Sequence, residues 1–275
     1  MGQPSTPLLS VLGSGLTALA LCFSPVPAKA QGFAAYVSPP RFEFAVEPGQ
    51  RSRQVIEIQH VGQQKGNYRI YTADWTLGPD YSVNFSNELA ADSCRPWVAI
   101  ERKQLTLNPE DKYRYRFEVA PPADAPAREC RFAIMIEGID TTQVQQGAIS
   151  FPVSGRIGVI VYARIGGAAP VLELVSASAL PGKDAAGVAL AVRNTGNAHG
   201  RLIGFVNGSD AQGQSMELAP ADLPILPGET RTIPLQAVAS EEGKRAPRIE
   251  FPIQIRGALE WGDGQTLPLE ATVAP

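Results

Sequence analysis

Histidine is almost missing from the 275 residues: there are two, His60 and His199, beside three cysteines. A structural zinc site gathers four such ligands, and neither histidine lies near a cysteine in sequence, so no metal and no cofactor is expected. Basic charge is not in excess either. The count is 24 Lys and Arg against 27 Asp and Glu, a net charge of −3, which gives nucleic acid or an anionic membrane surface nothing to be drawn to. After the first thirty residues no run is apolar and long enough to span a bilayer. Helical periodicity is also almost absent, which excludes bundles and the strand–helix alternation of α/β folds.

What is present begins with a leader. Leu8–Phe23 is mostly apolar but broken by Gly13, Ser14 and Gly15, and it is followed by Pro25, Pro27 and the small-x-small triplet Ala28-Lys29-Ala30. That order reads as a signal peptide over residues 1–30, cleaved after Ala30. The product is then an exported chain with 23 basic and 27 acidic residues, net −4. Cys22 leaves with the leader. An even pair, Cys94 and Cys130, remains, and in an oxidising compartment an even pair points to a disulfide in preference to two buried thiols. Closing that loop would stabilise the fold by about 4 kcal/mol on the chain-entropy account.

The body of the chain is a succession of short alternating runs separated by Gly, Pro, Asn and Asp, the spacing of β-sandwiches. The clearest run is Lys112–Val119, with Tyr113, Tyr115, Phe117 and Val119 on one face and Lys112, Arg114, Arg116 and Glu118 on the other. A second, Cys130–Glu137, presents Cys130, Phe132, Ile134 and Ile136 together. The two are either sheet neighbours or partners across a sandwich. Ala35–Val46, interrupted by Pro39-Pro40, reads as an edge or kinked strand. Arg156–Arg164 is nearly continuous in apolar residues and suits a strand covered on both faces.

Gly166-Gly167-Ala168-Ala169-Pro170 is the natural linker, after which strands recur over 171–176, 187–194, 202–207, 232–238, 248–256 and 266–273. The expected architecture is all-β, two tandem Ig-like β-sandwich domains behind the cleaved leader, with boundaries at 31–166 and 167–275. A faint motif is shared by the halves: Ile58, His60, Gly62 and Gly66 recur in type and spacing as Val192, Asn194, Gly196 and Gly200.

No enzyme is expected. Nucleophilic catalysis needs a nucleophile, a base and an orienting group brought together. The cysteines are spoken for, His60 lies inward with Ile56 and Ile58 as a hydrogen-bonded structural residue, and His199 sits in a Gly-rich turn and reads as solvated. Glu241-Glu242 adjoin Lys244 and Arg245 as a solvated loop, and the turn at Asp263 lacks the ligand series of a calcium loop. The residues that stand out are Arg41, after Pro39-Pro40 on the first strand, and Arg156, which begins the last strand of the first half. Beside the bland reading of two exposed arginines, a guanidinium at each place suits an anion site, since it holds a carboxylate by paired charge-assisted bonds.

Over residues 35–165 the sequence resembles the periplasmic pilus-assembly chaperones. Val37-Ser38-Pro39-Pro40-Arg41-Phe42-Glu43-Phe44 is similar to the family's first strand, Trp75 to a tryptophan of its third, Leu107-Asn108-Pro109-Glu110-Asp111-Lys112 to its Pro-Gly turn, and Gly155-Arg156-Ile157 through Tyr162 to its final strand. The resemblance implies a chaperone that binds pilin-like fibre subunits by β-strand addition, with an outer-membrane usher as a possible further partner. It places Arg41, with Arg156 in the stead of the family's lysine, at the subunit's terminal carboxylate. The pairing edge falls on Ile157, Gly158, Val159, Ile160, Val161 and Tyr162, with either Ile157, Val159 and Val161 or Gly158, Ile160 and Tyr162 turned to the client. Gly158 stands where that lysine is expected. The competing reading is an Ig-like envelope scaffold or adhesion module that binds another envelope protein or a polysaccharide.

Overall fold

The computed structural model describes residues 33–140, 142–146, 149–180, 187–239, 243–262 and 264–275. The leader, Glu241-Glu242 and Asp263 lie outside these residues. Within them the chain is strand and turn, with no α-helix. The first half comprises β1 (Ala35–Ser38), β2 (Arg41–Val46), β3 (Ser52–His60), β4 (Gly66–Leu77), β5 (Val83–Ser86), β6 (Val98–Ile100), β7 (Gln104–Leu107), β8 (Lys112–Val119), β9 (Glu129–Gly138), β10 (Thr142–Gln146), β11 (Ile149–Val153) and β12 (Arg156–Ile165). The second half comprises β13 (Leu172–Leu180), β14 (Gly187–Asn194), β15 (Val206–Ser209), β16 (Ser215–Pro220), β17 (Thr230–Ala237), β18 (Ile253–Trp261) and β19 (Gln265–Val273).

In the first half, β1-β3-β8-β6 forms one layer and β2-β12-β9-β4-β5 the other, with β7 also on β4. The two most strongly patterned runs, β8 and β9, therefore face each other across the sandwich. Alternation does the positioning: Tyr115, Phe117 and Val119 from β8 meet Phe132, Ile134 and Ile136 from β9 in one buried cluster, and Phe117 packs edge-on against Phe132 at 6.2 Å and Phe42 at 5.2 Å. Each such side chain, fully buried, contributes about 1.5–3 kcal/mol. Cys94 and Cys130 are joined as a disulfide, Cα atoms 5.8 Å apart, which fastens the 3-10 turn Arg95–Trp97 to β9.

The first strand is divided between the layers. β1 pairs antiparallel with β3 up to Ser38↔Glu57. Pro39 and Pro40 then have no N–H to continue the ladder, and the chain crosses to the other sheet, where β2 runs parallel to β12 from Arg41↔Ile160 to Val46↔Ile165. Among the described residues, those before Ile160 in β12 thus pair on one side only, with β9.

The second half is a single antiparallel sheet in the order β13-β14-β17-β16-β15-β18-β19. Its end strands β13 and β19 lie against each other, so the sheet curls around Val188, Leu190, Val192, Leu218, Ile233, Leu235 and Leu259. Two strands expected from the sequence start later than their apolar residues do. The run at 248–256 is a strand only from Ile253, because Pro252 donates no ladder bond. The run at 202–207 gives way to β15 at Val206, after Gly204 takes φ +94°.

The motif shared by the halves proves to be one device used twice. His60 and Asn194 each end an inner strand, buried, and each ties down the turn that follows. His60 Nε2 meets the Gln64 carbonyl and Nδ1 the Tyr68 hydroxyl, both at 2.5 Å. The Asn194 amide donates to the Ala198 and Ile225 carbonyls at 2.8 Å, and its oxygen accepts from Val171 N and Gly196 N.

Candidate functional site at the junction of the two halves

Along β12 the side chains alternate between two environments. Ile157, Val159, Val161, Ala163 and Ile165 enter the sandwich core. Ile160 and Tyr162 lie on the outer face, where Trp75, Ala133, Met135 and Phe85 join Leu226 of the second half in a separate apolar cluster. Gly158 on that face is covered: a Cβ there would collide with the Phe85 ring. Neither alternating set of β12 projects freely into solvent, since Val159 and Val161 are fully buried and Tyr162 is 3% exposed.

The two arginines singled out in the sequence are not brought together. Arg156 sits opposite Glu137, near Tyr71, whose hydroxyl donates to the same carboxylate at 2.7 Å. Arg41 sits opposite Ile160, four residues along the strand, or about 13 Å at 3.3 Å per residue. Its guanidinium is engaged internally, with Nε 2.7 Å from Glu43 and Nη1 donating to Asp222 of the second half at 3.3 Å.

Around Arg41 the structure assembles charges that no sequence spacing connects. His199, read as a solvated turn residue, is instead buried at 7% exposure. Its ring stacks on Tyr162, centroids 3.8 Å apart. Nδ1 lies 2.5 Å from the Glu129 carboxylate, which also accepts the His199 backbone N–H at 3.1 Å. Nε2 lies 3.5 Å from Glu43. Arg201 reaches Asp222 at 2.9 Å and Glu43 at 3.4 Å, and covers the Tyr162 ring. The correction has a plain cause: the turn after β14 is polar in sequence because it docks on the first half's carboxylates. The one available signal was alternation, with Arg41 and Glu43 on one face of β2 and His199 and Arg201 two apart.

These contacts shift protonation. Hydrogen bonding to His199, with the Arg41 and Arg201 charges adding to it, lowers the Glu43 carboxyl to about 2 against the opposing pull of burial. For His199 burial opposes the charged ring, yet the bonds to Glu129 and Glu43 outweigh it and the imidazole rises above its usual value. Tyr162, desolvated, is pushed up to about 12 and stays a neutral hydroxyl. A cavity of about 230 Å³ opens beside the array, lined by Glu43, Tyr162, Arg164, His199 and Arg201 among others. Further contacts seal the junction: Asn197 donates to the Ala127 carbonyl at 2.8 Å, and Arg231 donates to the Leu77 and Gly78 carbonyls at the tip of the β4–β5 hairpin.

In three dimensions the chain is similar to the class 5 fimbriae chaperone CfaA, with a TM-score of 0.46 and 10% identity over 88% of this chain and 99% of CfaA. The E. coli chaperone DraB gives 0.44 and 13% over 88% and 98%. A Salmonella enterica SafA pilin–SafB chaperone complex gives 0.45 and 13% over 87% and 96%. Each of these structures contains a chaperone. The sequence matches no protein-family model and no curated protein. No helix among the described residues is long and apolar enough to cross a membrane, and no group of three or more candidate metal ligands occurs among them.

Proposed function

We propose that the protein is a non-enzymatic periplasmic chaperone, exported by the leader at 1–30, that holds pilin-like fibre subunits by strand addition at the free stretch of β12. The observation that carries this reading is the late start of β2. Ile160 N donates to Pro40 O on the β2 side, and in an extended strand alternate residues turn both backbone groups the same way. Arg156 and Gly158 therefore direct N–H and C=O toward the side where β12 has no strand partner among the described residues. An incoming strand there would continue the line of β2 and be held by backbone bonds, with Ile157 and Val159 remaining in the chaperone's own core. Arg41 and Arg156, at the two ends of that stretch, would each receive a carboxylate of the client.

The test is capture of fibre subunits by the purified protein, with the bound chain identified by mass spectrometry. Wild type should retain a pilin-like subunit, and Arg41→Glu should weaken capture and fibre assembly in the host. If no subunit is captured and Arg41→Glu leaves assembly intact, the reading is lost. A second reading, an envelope scaffold or adhesion module, is favoured by two observations: Ile160–Tyr162 are paired on both sides, and Arg41 is already held by Glu43 and Asp222. It predicts capture of another envelope protein or a polysaccharide, insensitive to Arg41→Glu.

A further inference from the structure

The array around His199 has a property that strand addition does not call upon. The imidazole belongs to the second half, yet both its nitrogens face carboxylates of the first half, Glu129 at the start of β9 and Glu43 on β2. An imidazole can donate at both nitrogens only when protonated. In the neutral ring one nitrogen becomes an acceptor and turns a lone pair toward a carboxylate, and on the Glu129 side both partners are too buried for water to intervene freely.

The other charges nearby do not cancel this demand. On β2, Arg41 is occupied with Glu43 and Asp222. On β9, Arg131 lies 4.0 Å from the other Glu129 oxygen. On β12, Tyr162 stacks on the ring and Arg164 lines the same cavity. Within the second half, Arg201 divides its guanidinium between Glu43 and Asp222. The groups that meet the ring nitrogens directly are the two carboxylates.

We propose that Glu129, His199 and Glu43 form a proton-operated latch: the protonated ring locks the second half onto β2 and β9, and its deprotonation loosens that side of the junction. The bonds from Arg231 to Leu77 and Gly78 contain no group that titrates near neutrality, and the Arg41–Asp222, Arg201–Glu43 and Asn197–Ala127 contacts persist as well, so the halves stay joined and the loosening is local to the turn that carries His199. Gly166 and Gly167 supply the compliance in the connecting chain, at φ +57° and +74°, with open space around Gly167. The direction follows from linkage. A group whose folded pKa is raised contributes fully below its unfolded value, near 6.5, and the contribution disappears as pH climbs through the folded value. The latch is thus closed on the acid side and opens toward alkaline pH, whatever the β12 edge binds.

The experiment needs no variant to begin. With two histidines in the sequence, an imidazole carbon titration by NMR gives two curves, and the one that disappears in His199→Gln is assigned to His199. Hydrogen-exchange protection of the His199 amide, corrected for intrinsic rate, is followed over the same pH range. The expected result is a midpoint above 6.5 and a fall in protection of about tenfold or more on the same curve, with β14 amides unaffected. Glu43→Gln should move both midpoints down by about one unit, as removal of one close opposite charge does. A His199 midpoint at or below 6.5, protection that ignores the titration, or no response to Glu43→Gln would each overturn the proposal.

Discussion

Asn194→Ala should be among the most damaging single substitutions in the chain. The side chain is fully buried and holds four backbone groups at once: Val171 N at 3.2 Å, Gly196 N at 2.9 Å, and the Ala198 and Ile225 carbonyls at 2.8 Å. These groups lie on the strand entry after the linker, the turn before His199 and the segment before β17. The Ile225 carbonyl keeps its bond from Gly200 N at 3.1 Å, but Val171 N, Gly196 N and the Ala198 carbonyl lose their partner, and Gly196 is already pressed against the backbone of 169–171. An unsatisfied buried polar group costs about 1–3 kcal/mol. At the lower figure for each of the three, the loss is about 3 kcal/mol, and some entry of water keeps it near that end. For a chain of this size each kcal/mol lowers Tm by roughly 2–4 °C, so a drop of roughly 6–12 °C is expected. Calorimetry against the exposed control Asn207→Ala reads it directly. A loss below about 1 kcal/mol would refute the claim that Asn194 is the pin of the second half.

Replacing both Cys94 and Cys130 by alanine should cost about 4 kcal/mol in urea unfolding, since the bridge closes a loop between residues 36 apart; an unchanged midpoint would show that the denatured chain gains nothing from release. In Glu43→Gln the acid limb of stability should flatten. Glu43 has a lowered folded pKa of about 2 against 4.5, so its contribution is present above the unfolded value and is lost as pH falls through the folded one. Thermal melts between pH 2 and 5 check this. Gly158→Ala should lose about 1–3 kcal/mol by overpacking against Phe85, and Phe85→Ala should recover most of it in a double-mutant cycle.

Much of the framework is legible in the residues. Alternation in Lys112–Val119 is reproduced as the buried series Tyr115, Phe117, Val119, and Pro39-Pro40 marks the point where the first strand leaves its sheet. These features are local: a period of two and a missing N–H act wherever the chain goes. The site is not local. His199 and Glu129 are 70 residues apart, and Arg41 and Asp222 are 181 apart, so nothing in the spacing foretells that they meet. His199 was legible as a turn residue and illegible as a buried one, because a polar turn looks the same whether it faces water or another half of the molecule. His60 and Asn194 lie between these cases. Their common setting between inner strand and Gly-rich turn is visible in sequence, but the shared duty of pinning the turn emerges only from hydrogen-bond partners.

The parallel alliance of β2 with β12 also bears on how the chain comes to be folded. About 120 residues separate Arg41 from its partner Ile160, a closure that contact-order arguments make slow. As synthesis proceeds from the amino end, Arg41–Val46 must wait without a neighbour until the last strand of its own half has been made. The second layer therefore cannot be finished piecemeal. A chain halted anywhere before residue 160 keeps an unpaired strand of its own, and assembly of the first half ends with β12.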